Sequence, residues 1–136
     1  MEKAKSAPRM EAFERALRRF VEGLAKPEDA IVRDACIQRF EFTFEMAWRA
    51  LQEYALGEGV ECTSPRDCFR VGFRMTLLKN DPGWLAMVED RNRTSHTYDE
   101  ESAQDIFRSL PGYVGLFTQL LERLQEGYRR RAAEGL

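Results

Sequence analysis

Histidine is scarce in this chain, and several motifs that would carry a known chemistry are missing. His96 is the only histidine among 136 residues. The chain has no Gly-rich phosphate loop, and no Gly-Ser followed by paired aspartates that would make it a nucleotidyltransferase. The three cysteines (36, 62 and 68) are an odd number without a paired short spacing, which argues against a disulfide framework. With one histidine they make a poor set for a closed zinc site, which needs four ligands. We therefore expect reduced thiols in a cytoplasmic protein, with no metal and no cofactor.

A net basic charge and long apolar runs are also missing. Lys and Arg number 21 against 23 Asp and Glu, a formal net charge of −2, so no global basic field attracts nucleic acid. Any anion site must be local, and DNA is not an expected partner. No apolar run approaches the roughly 20 residues that span a bilayer. Charged side chains also interrupt the N-terminal segment where a signal peptide would have its apolar core. We expect no membrane association.

Helical periodicity dominates what is present. The length favours one domain, and we expect a disordered N-terminus over residues 1–9 and a single helical domain over residues 10–136. Apolar residues at three- and four-residue spacing, with Pro, Gly and Ser at the boundaries, predict the helices. Long helices are predicted from residue 10 to Pro27, over 28–56, over 65–78 and from 97 to about 128, with a short one around 84–88.

The second predicted helix has apolar residues on two sides. One stripe is Ile31, Ala35, Phe42 and Met46; the other is Ile37, Phe40, Phe44, Trp48, Leu51 and Ala55. Two stripes mean apolar contact in two directions. This helix is therefore expected to be central, or shared with a partner chain.

The last predicted helix has the longest regular seam. Ala103, Phe107, Leu110, Val114, Phe117, Leu121, Leu124 and Tyr128 alternate spacings of four and three, as core-facing positions do. Thr97 and Glu100 have the spacing of a capping box, which predicts the helix start. Pro111 lies off the seam and predicts a kink. The fold class is therefore all-α, an up-and-down bundle of four long helices plus a short extra helix, the last helix kinked near Pro111.

Residues 90–101 concentrate the chemistry of the chain, with Arg91, His96 and Tyr98 close together in sequence. On an unbroken helix, side chains five residues apart point about 140° apart. Arg91 and His96 can converge only if the helix breaks between them, which the capping box at Thr97 predicts. The exposed amides of the next helix suit an anion, whereas the carboxylates of residues 99–101 oppose one.

An imidazole beside a guanidinium suits cleavage of an RNA phosphodiester. Imidazole exchanges protons near neutral pH, so His96 can deprotonate a 2′-hydroxyl or protonate the leaving 5′-oxygen. Arg91 can stabilise the phosphorane charge. Acid–base cleavage usefully employs two proton-transfer groups, and the chain has one histidine. A two-fold homodimer that faces two copies of this stretch would supply the second.

A structural role competes with this interpretation. A lone histidine beside a helix cap is more often a hydrogen-bonding residue than a catalyst, and Arg91 can cap carbonyl groups at a helix end. The residues taken by themselves favour that role. Arg66, Arg70 and Arg74 line one helix face and can contact phosphates, but a solvated charged face is at least as good an explanation. Arg93 is either a phosphate contact or an exposed charge beside Asp90.

Three segments resemble the HEPN superfamily of small all-α proteins. Arg91, His96 and Tyr98 have the spacing of its signature, with four residues and then one between them. More narrowly, Arg91 with Asn92, residues 94–100 and residues 39–48 resemble its nucleotidyltransferase substrate-binding-protein branch. The resemblance extends from about Met10 to Glu126.

The resemblance implies a partner and two functions. Members of this branch are typically encoded beside a minimal nucleotidyltransferase, and related pairs act as toxin–antitoxin systems. It implies a metal-independent ribonuclease in which Arg91 and His96 are catalytic and Asn92 is a supporting polar residue. The nucleotidyltransferase would silence it by adding AMP to Tyr98. The alternatives are a non-catalytic subunit that binds nucleotide or substrate for that enzyme, and a helical interaction module without chemistry.

Overall fold

The described part of the chain is helical throughout. The computed structural model describes residues 7–96 and 99–135, and for His96 the backbone alone. The elements are α1 (Pro8–Leu24), α2 (Ala30–Gly57), α3 (Pro65–Arg74), α4 (Gly83–Arg93), a 3₁₀ turn (Thr94–His96), α5 (Glu100–Ser109) and α6 (Pro111–Ala133). No strand occurs in these two ranges, so the all-α prediction is confirmed. None of the helices described is long and apolar enough to cross a membrane.

Helix α2 is the centre of the bundle. It packs most extensively on α1 and also contacts α3, α4, α5 and α6. Aromatic rings fill the space between these helices. Phe40 of α2 stacks on Tyr113 of α6, with 5.5 Å between ring centroids, and the Phe117 ring meets the edge of Phe13 at 5.9 Å. Such pairs add to the free energy gained by burying the rings. The prediction of a central helix is therefore confirmed.

The two apolar stripes of α2 have different surroundings. The longer stripe, which holds Phe40, Phe44 and Trp48, is buried along its whole length. On the other stripe Ile31 is 79% exposed and Phe42 57% exposed. One apolar side of α2 thus builds the core, and the other is open at these two positions.

The α2–α3 connection corrects the prediction of reduced thiols. Cys62 and Cys68 are joined by a disulfide with 5.1 Å between their Cα atoms, whereas Cys36 is free and buried. Helix α2 ends at Gly57, and Gly59 beyond it has the left-handed φ of +82°. The bonds from Val60 N to the Ala55 carbonyl and from Gly59 N to the Leu56 carbonyl form a Schellman motif. The prediction rested on the number and spacing of the cysteines. It was wrong because the chain turns back between α2 and α3, which brings Cys62 and Cys68 together.

Helix α3 begins as predicted and ends earlier. The Ser64 hydroxyl accepts from the Asp67 amide at 3.2 Å, so serine caps the helix and Pro65 is its first residue. The predicted end near Leu78 is wrong, because α3 stops at Arg74. Thr76 has the left-handed φ of +59°, and the amide of Leu77 turns back to the Gly72 carbonyl. This turn leads the chain to α4.

The last predicted helix is divided at Pro111. Leu110, with helical φ and ψ of −59° and −43°, separates α5 from α6. Proline has no amide hydrogen to continue the helical ladder, so a kink at this point is confirmed. The predicted start at Thr97 is wrong, because α5 begins at Glu100 with Asp99 as its cap. Thr97 itself lies outside the described residues.

Both ends of the chain also bear on the predictions. Helix α1 begins at Pro8, two residues before the predicted Met10. Residues 1–6, most of the predicted disordered segment, lie outside the described residues. The a/d seam predicted for the last helix does face the core. Ala103, Leu110, Phe117, Leu121 and Leu124 are buried.

Candidate functional site

The junction between α4 and α5 contains the predicted site. Helix α4 ends at Arg93, the 3₁₀ turn follows, and α5 begins at Glu100. The regular helix therefore ends between Arg91 and His96, as predicted. The side chain of His96, and all of Thr97 and Tyr98, lie outside the described residues. Convergence of Arg91 with His96 remains a prediction.

Arg91 lies in the last turn of α4 with its side chain against the core. The guanidinium carbon lies 5.9 Å from the centroid of the Phe44 ring. Its Nε is buried and finds no acceptor among the residues that the structure describes. A buried donor without a partner costs about 1–3 kcal/mol, and more when it is charged. An anion that accepted this hydrogen bond would remove that cost.

Asp90, the neighbour of Arg91, is a buried carboxylate that fixes α4 to α6. The Tyr113 hydroxyl donates to it at 2.5 Å across 23 residues of sequence, and Arg93 donates to its other oxygen at 3.3 Å. Burial and the Asp90 carboxylate both raise the pKa of Tyr113 well above its ordinary value. The phenol therefore stays protonated and donates. Both oxygens of Asp90 accept hydrogen bonds, and the bond from Tyr113 holds α4 against α6. The carboxylate therefore helps to fix the part of α4 that carries Arg91.

Thr94 joins the 3₁₀ turn to α2. Its side chain is buried, and its Oγ1 lies 2.6 Å from Oε2 of Glu41 and 2.7 Å from the Arg91 carbonyl oxygen. One hydroxyl proton serves one of these acceptors at a time. Our prediction of the site did not include Glu41. Glu41 lies in residues 39–48 and Thr94 in residues 94–100, the two longer segments that carry the family resemblance.

The start of α5 does not offer an anion site, which answers a question that the sequence left open. The Asp99 Oδ1 accepts from the Ser102 amide at 3.0 Å, and its Oδ2 accepts from the Ser102 hydroxyl at 3.0 Å. These bonds lower the pKa of Asp99. Arg33 of α2 contacts Glu100 at 2.7 Å and Glu28 at 3.0 Å. A carboxylate of the chain itself thus occupies this helix terminus.

The remaining predicted residues fall into two groups. Arg93 pairs with Asp90 and lies 3.8 Å from Asp105 of α5, so it joins helices. Asn92 is exposed on α4, two residues before the 3₁₀ turn begins. The other three, Arg66, Arg70 and Arg74, are exposed on α3 and belong to a different surface.

No group of three His, Cys, Asp or Glu side chains within the described ranges is placed to hold a metal ion. The junction therefore offers a guanidinium, a positioned turn and the backbone of the only histidine. Of these, the guanidinium is a group that can bind an anion.

The chain is similar to several known proteins. Residues 8–126 match the model of a family described as nucleotidyltransferase substrate binding protein like. Over 104 residues the chain is 31% identical to a Haemophilus influenzae protein named probable ribonuclease HepT, covering 73% of this chain and 70% of the relative. A crystal structure of a Thermus thermophilus protein is 43% identical with a TM-score of 0.76, covering 82% of this chain and 98% of that one.

A second solved structure shares the fold at lower identity. It comes from H. influenzae and is described as revealing the fold of a substrate binding domain of a nucleotidyltransferase. Its TM-score is 0.77 at 21% identity, over 85% of this chain and 98% of that one.

Proposed function

The chain belongs to the nucleotidyltransferase substrate binding protein like family, and we propose that it is a metal-independent ribonuclease controlled by a minimal nucleotidyltransferase. The family match confirms the resemblance to this branch of the HEPN superfamily, and the family implies an association with a nucleotidyltransferase. The proposal adds the chemistry. Arg91 and His96 are the catalytic residues, RNA is the substrate, and Tyr98 is the residue that the partner modifies.

The unpaired Nε of Arg91 is the observation that carries the proposal. A guanidinium that only stabilised the fold would have its buried donor satisfied, because buried polar groups are nearly always hydrogen-bonded. Here Nε has no acceptor within the described residues, and Arg91 lies in the last turn of α4, just before the 3₁₀ turn that contains His96. A phosphate oxygen is the acceptor that a guanidinium binds best. The positive charge of the guanidinium also stabilises the negative phosphorane charge that develops during cleavage.

The proposed reaction is an internal transesterification. The 2′-oxygen attacks phosphorus while the bond from phosphorus to the 5′-oxygen breaks, which leaves a 2′,3′-cyclic phosphate and a 5′-hydroxyl. One imidazole takes the proton of the 2′-hydroxyl, and a second gives a proton to the 5′-oxygen. His96 is the only histidine in the chain, so the second imidazole comes from another copy. The active form is therefore a homodimer.

The open stripe of α2 supports that dimer. Ile31 and Phe42 expose large apolar side chains on one side of the central helix. A two-fold interface buries the same patch on both copies, and burial of each side chain is worth about 1.5–3 kcal/mol.

Modification of Tyr98 explains control by the partner. Transfer of AMP from ATP to its hydroxyl, with release of pyrophosphate, would place a phosphate two residues from His96, where it would compete with RNA for Arg91. We propose that this converts an active toxin into a silent complex in the cytoplasm, where RNA and ATP are both available. Mass spectrometry of the protein co-expressed with its nucleotidyltransferase would show AMP on a peptide that contains Tyr98, and Tyr98→Phe would remain unmodified.

Incubation of the purified protein with tRNA and mRNA in EDTA tests the ribonuclease. We expect cleavage by the wild type and by Arg108→Ala, an exposed arginine on α5 that serves as the control, but none by His96→Ala. If wild type and His96→Ala are equally inert and both bind nucleotide, the second function is favoured. That function is a non-catalytic substrate-binding subunit. The solved structure that shares the fold is described as a substrate binding domain of a nucleotidyltransferase.

A further inference from the structure

A groove between α3 and α4 is not explained by the junction site. Its volume is about 490 Å³. Its apolar wall is formed by Phe69, Phe73, Trp84, Leu85 and Val88. Phe73 is 46% exposed and Leu85 59% exposed, which is costly for large apolar side chains. We refer to this surface as the α3–α4 groove.

Basic side chains surround the groove although the chain as a whole is slightly acidic. Arg66, Arg70 and Lys79 line it, and Asp81 is the one acidic side chain that joins them among the lining residues. Asp81 is engaged locally, since its Oδ1 accepts from the Gly83 amide at 2.7 Å. Arg70 contacts Asp67 at 3.4 Å, but both side chains are partly exposed to solvent, so this ion pair is weak and easily exchanged. The groove is therefore a local cationic surface.

The α3–α4 groove reaches the Arg91 end of α4. Val88 lies three residues before Arg91, which is about 4.5 Å along the helix axis. The buried ring of Phe44 in α2 lies between the two, with its centroid 5.5 Å from that of Phe69 and 5.9 Å from the Arg91 guanidinium carbon. A chain bound along the groove would therefore pass close to Arg91.

The groove also holds a polar group without a partner. The indole nitrogen of Trp84 is buried and has no acceptor in the ranges 7–96 and 99–135. The Trp84 ring contacts that of Phe69 in a tilted arrangement, with 5.0 Å between the ring centroids, so two aromatic rings form the floor beside the exposed ring of Phe73. Aromatic rings next to arginine side chains are the combination that binds single-stranded nucleic acid, through stacked bases and backbone phosphates.

We propose that the α3–α4 groove is a subsite for single-stranded RNA, in which a base stacks on Phe73 and the flanking phosphates contact Arg66 and Arg70. This inference rests on the proposed function, because it extends the same RNA away from Arg91. An apolar segment of the nucleotidyltransferase would also fit an apolar groove. Three cationic side chains around it favour a polyanion, so RNA is the occupant that the charges select.

The groove can be tested by binding, without any cleavage. The chain has two tryptophans, and Trp48→Phe leaves Trp84 as the only fluorescent indole. A short 2′-O-methyl oligoribonucleotide lacks the attacking hydroxyl and stays intact. We expect its titration to quench Trp84. Phe73→Ala in this background should weaken binding about tenfold, since base stacking on an aromatic ring is worth that much. Arg70→Ala should weaken binding and lower the slope of log K against log salt by about 0.7.

Two substitutions outside the groove serve as matched controls. Leu56→Ala removes an exposed apolar side chain from the end of α2. Arg108→Ala removes an exposed arginine that pairs with an aspartate three residues earlier, as Arg70 does. Both should bind the oligonucleotide as the wild type does. Thermal unfolding of each variant confirms that it is folded.

The outcomes separate this inference from the ribonuclease itself. Unchanged affinity in Phe73→Ala and Arg70→Ala overturns the groove as an RNA subsite, even if the wild type cleaves RNA. Loss of oligonucleotide binding in these variants, in a protein that cleaves nothing, supports the groove and contradicts the ribonuclease. If Phe73→Ala abolishes binding of the nucleotidyltransferase and leaves oligonucleotide binding intact, the groove belongs to the partner and the proposal is wrong.

Discussion

Thr94 and Glu41 are 53 residues apart in sequence, and their side-chain oxygens lie 2.6 Å apart. The bond fixes the 3₁₀ turn to the central helix, on the segment between Arg91 and His96. The Thr94 oxygen also lies 2.7 Å from the Arg91 carbonyl. One buried hydroxyl thus connects α2, the end of α4 and the turn that leads to the only histidine. The position of His96 depends on a contact outside its own segment.

Removal of the Glu41 side chain should lower both the free energy of unfolding and the rate of RNA cleavage. A hydrogen bond to a charged group contributes about 1.5–3 kcal/mol, so Glu41→Ala should lower the free energy of unfolding by about that amount. Urea unfolding and single-turnover cleavage would measure the two effects. Glu22→Ala, an exposed glutamate on α1, is the control. If Glu41→Ala and Thr94→Val are additive in a double-mutant cycle, the two side chains are not coupled and this account of the turn is wrong.

The Cys62–Cys68 disulfide should stabilise the start of α3. The bond closes a loop with a sequence separation of 6. Because it lowers the chain entropy of the unfolded state, it should stabilise the fold by about 2 kcal/mol. Unfolding in urea with and without reductant would measure it. A variant with Cys62→Ala and Cys68→Ala should be equally stable in both conditions. If reductant does not change the free energy of unfolding of the wild type, the disulfide contributes nothing to stability.

Local signals in the sequence predicted the helices well, and tertiary contacts were out of their reach. Ser64 before Pro65 and the glycines after α2 act on neighbouring residues, so these helix ends were found. The bonds from Tyr113 to Asp90 and from Thr94 to Glu41 join residues 23 and 53 apart. The periodicity of apolar residues cannot predict such pairs. The predicted cap was wrong because Asp99, two residues after Thr97, also has a side-chain oxygen that can cap a helix, and it accepts the bond from the Ser102 amide. The groove required α3 and α4 to be placed side by side.

The pKa of Tyr128 predicts a loss of stability at high pH. Burial, followed by the charge of Glu53, raises it from 10.0 to about 12. A raised pKa in the folded protein contributes stability that is complete below the unfolded pKa. That contribution is lost as the pH rises from 10.0 to about 12. The melting temperature of Tyr128→Phe should therefore fall less steeply than that of the wild type over this range. If the melting temperatures of the two proteins fall equally steeply with pH, the raised pKa of Tyr128 is contradicted.

The open stripe of α2 should determine the oligomeric state. Phe42→Glu places a charge on the proposed interface and should give monomers without ribonuclease activity, as measured by analytical ultracentrifugation at micromolar concentration. Leu56→Glu introduces the same charge at a comparably exposed position near the end of α2 and should remain dimeric. A wild type that sediments as a monomer, or an active monomeric Phe42→Glu, would rule out the two-copy site.

The single-turnover rate of RNA cleavage in EDTA tests the central claim most directly. The wild type, His96→Ala, Arg91→Lys and Arg93→Lys would be compared on one end-labelled RNA. General acid–base catalysis contributes about 10²–10⁴-fold, so His96→Ala should lose at least a hundredfold. Arg91→Lys should also be slow, because lysine cannot reproduce the planar donor set of arginine, while Arg93→Lys should cleave nearly as fast as the wild type. Equal rates for wild type and His96→Ala would contradict a ribonuclease centred on Arg91 and His96.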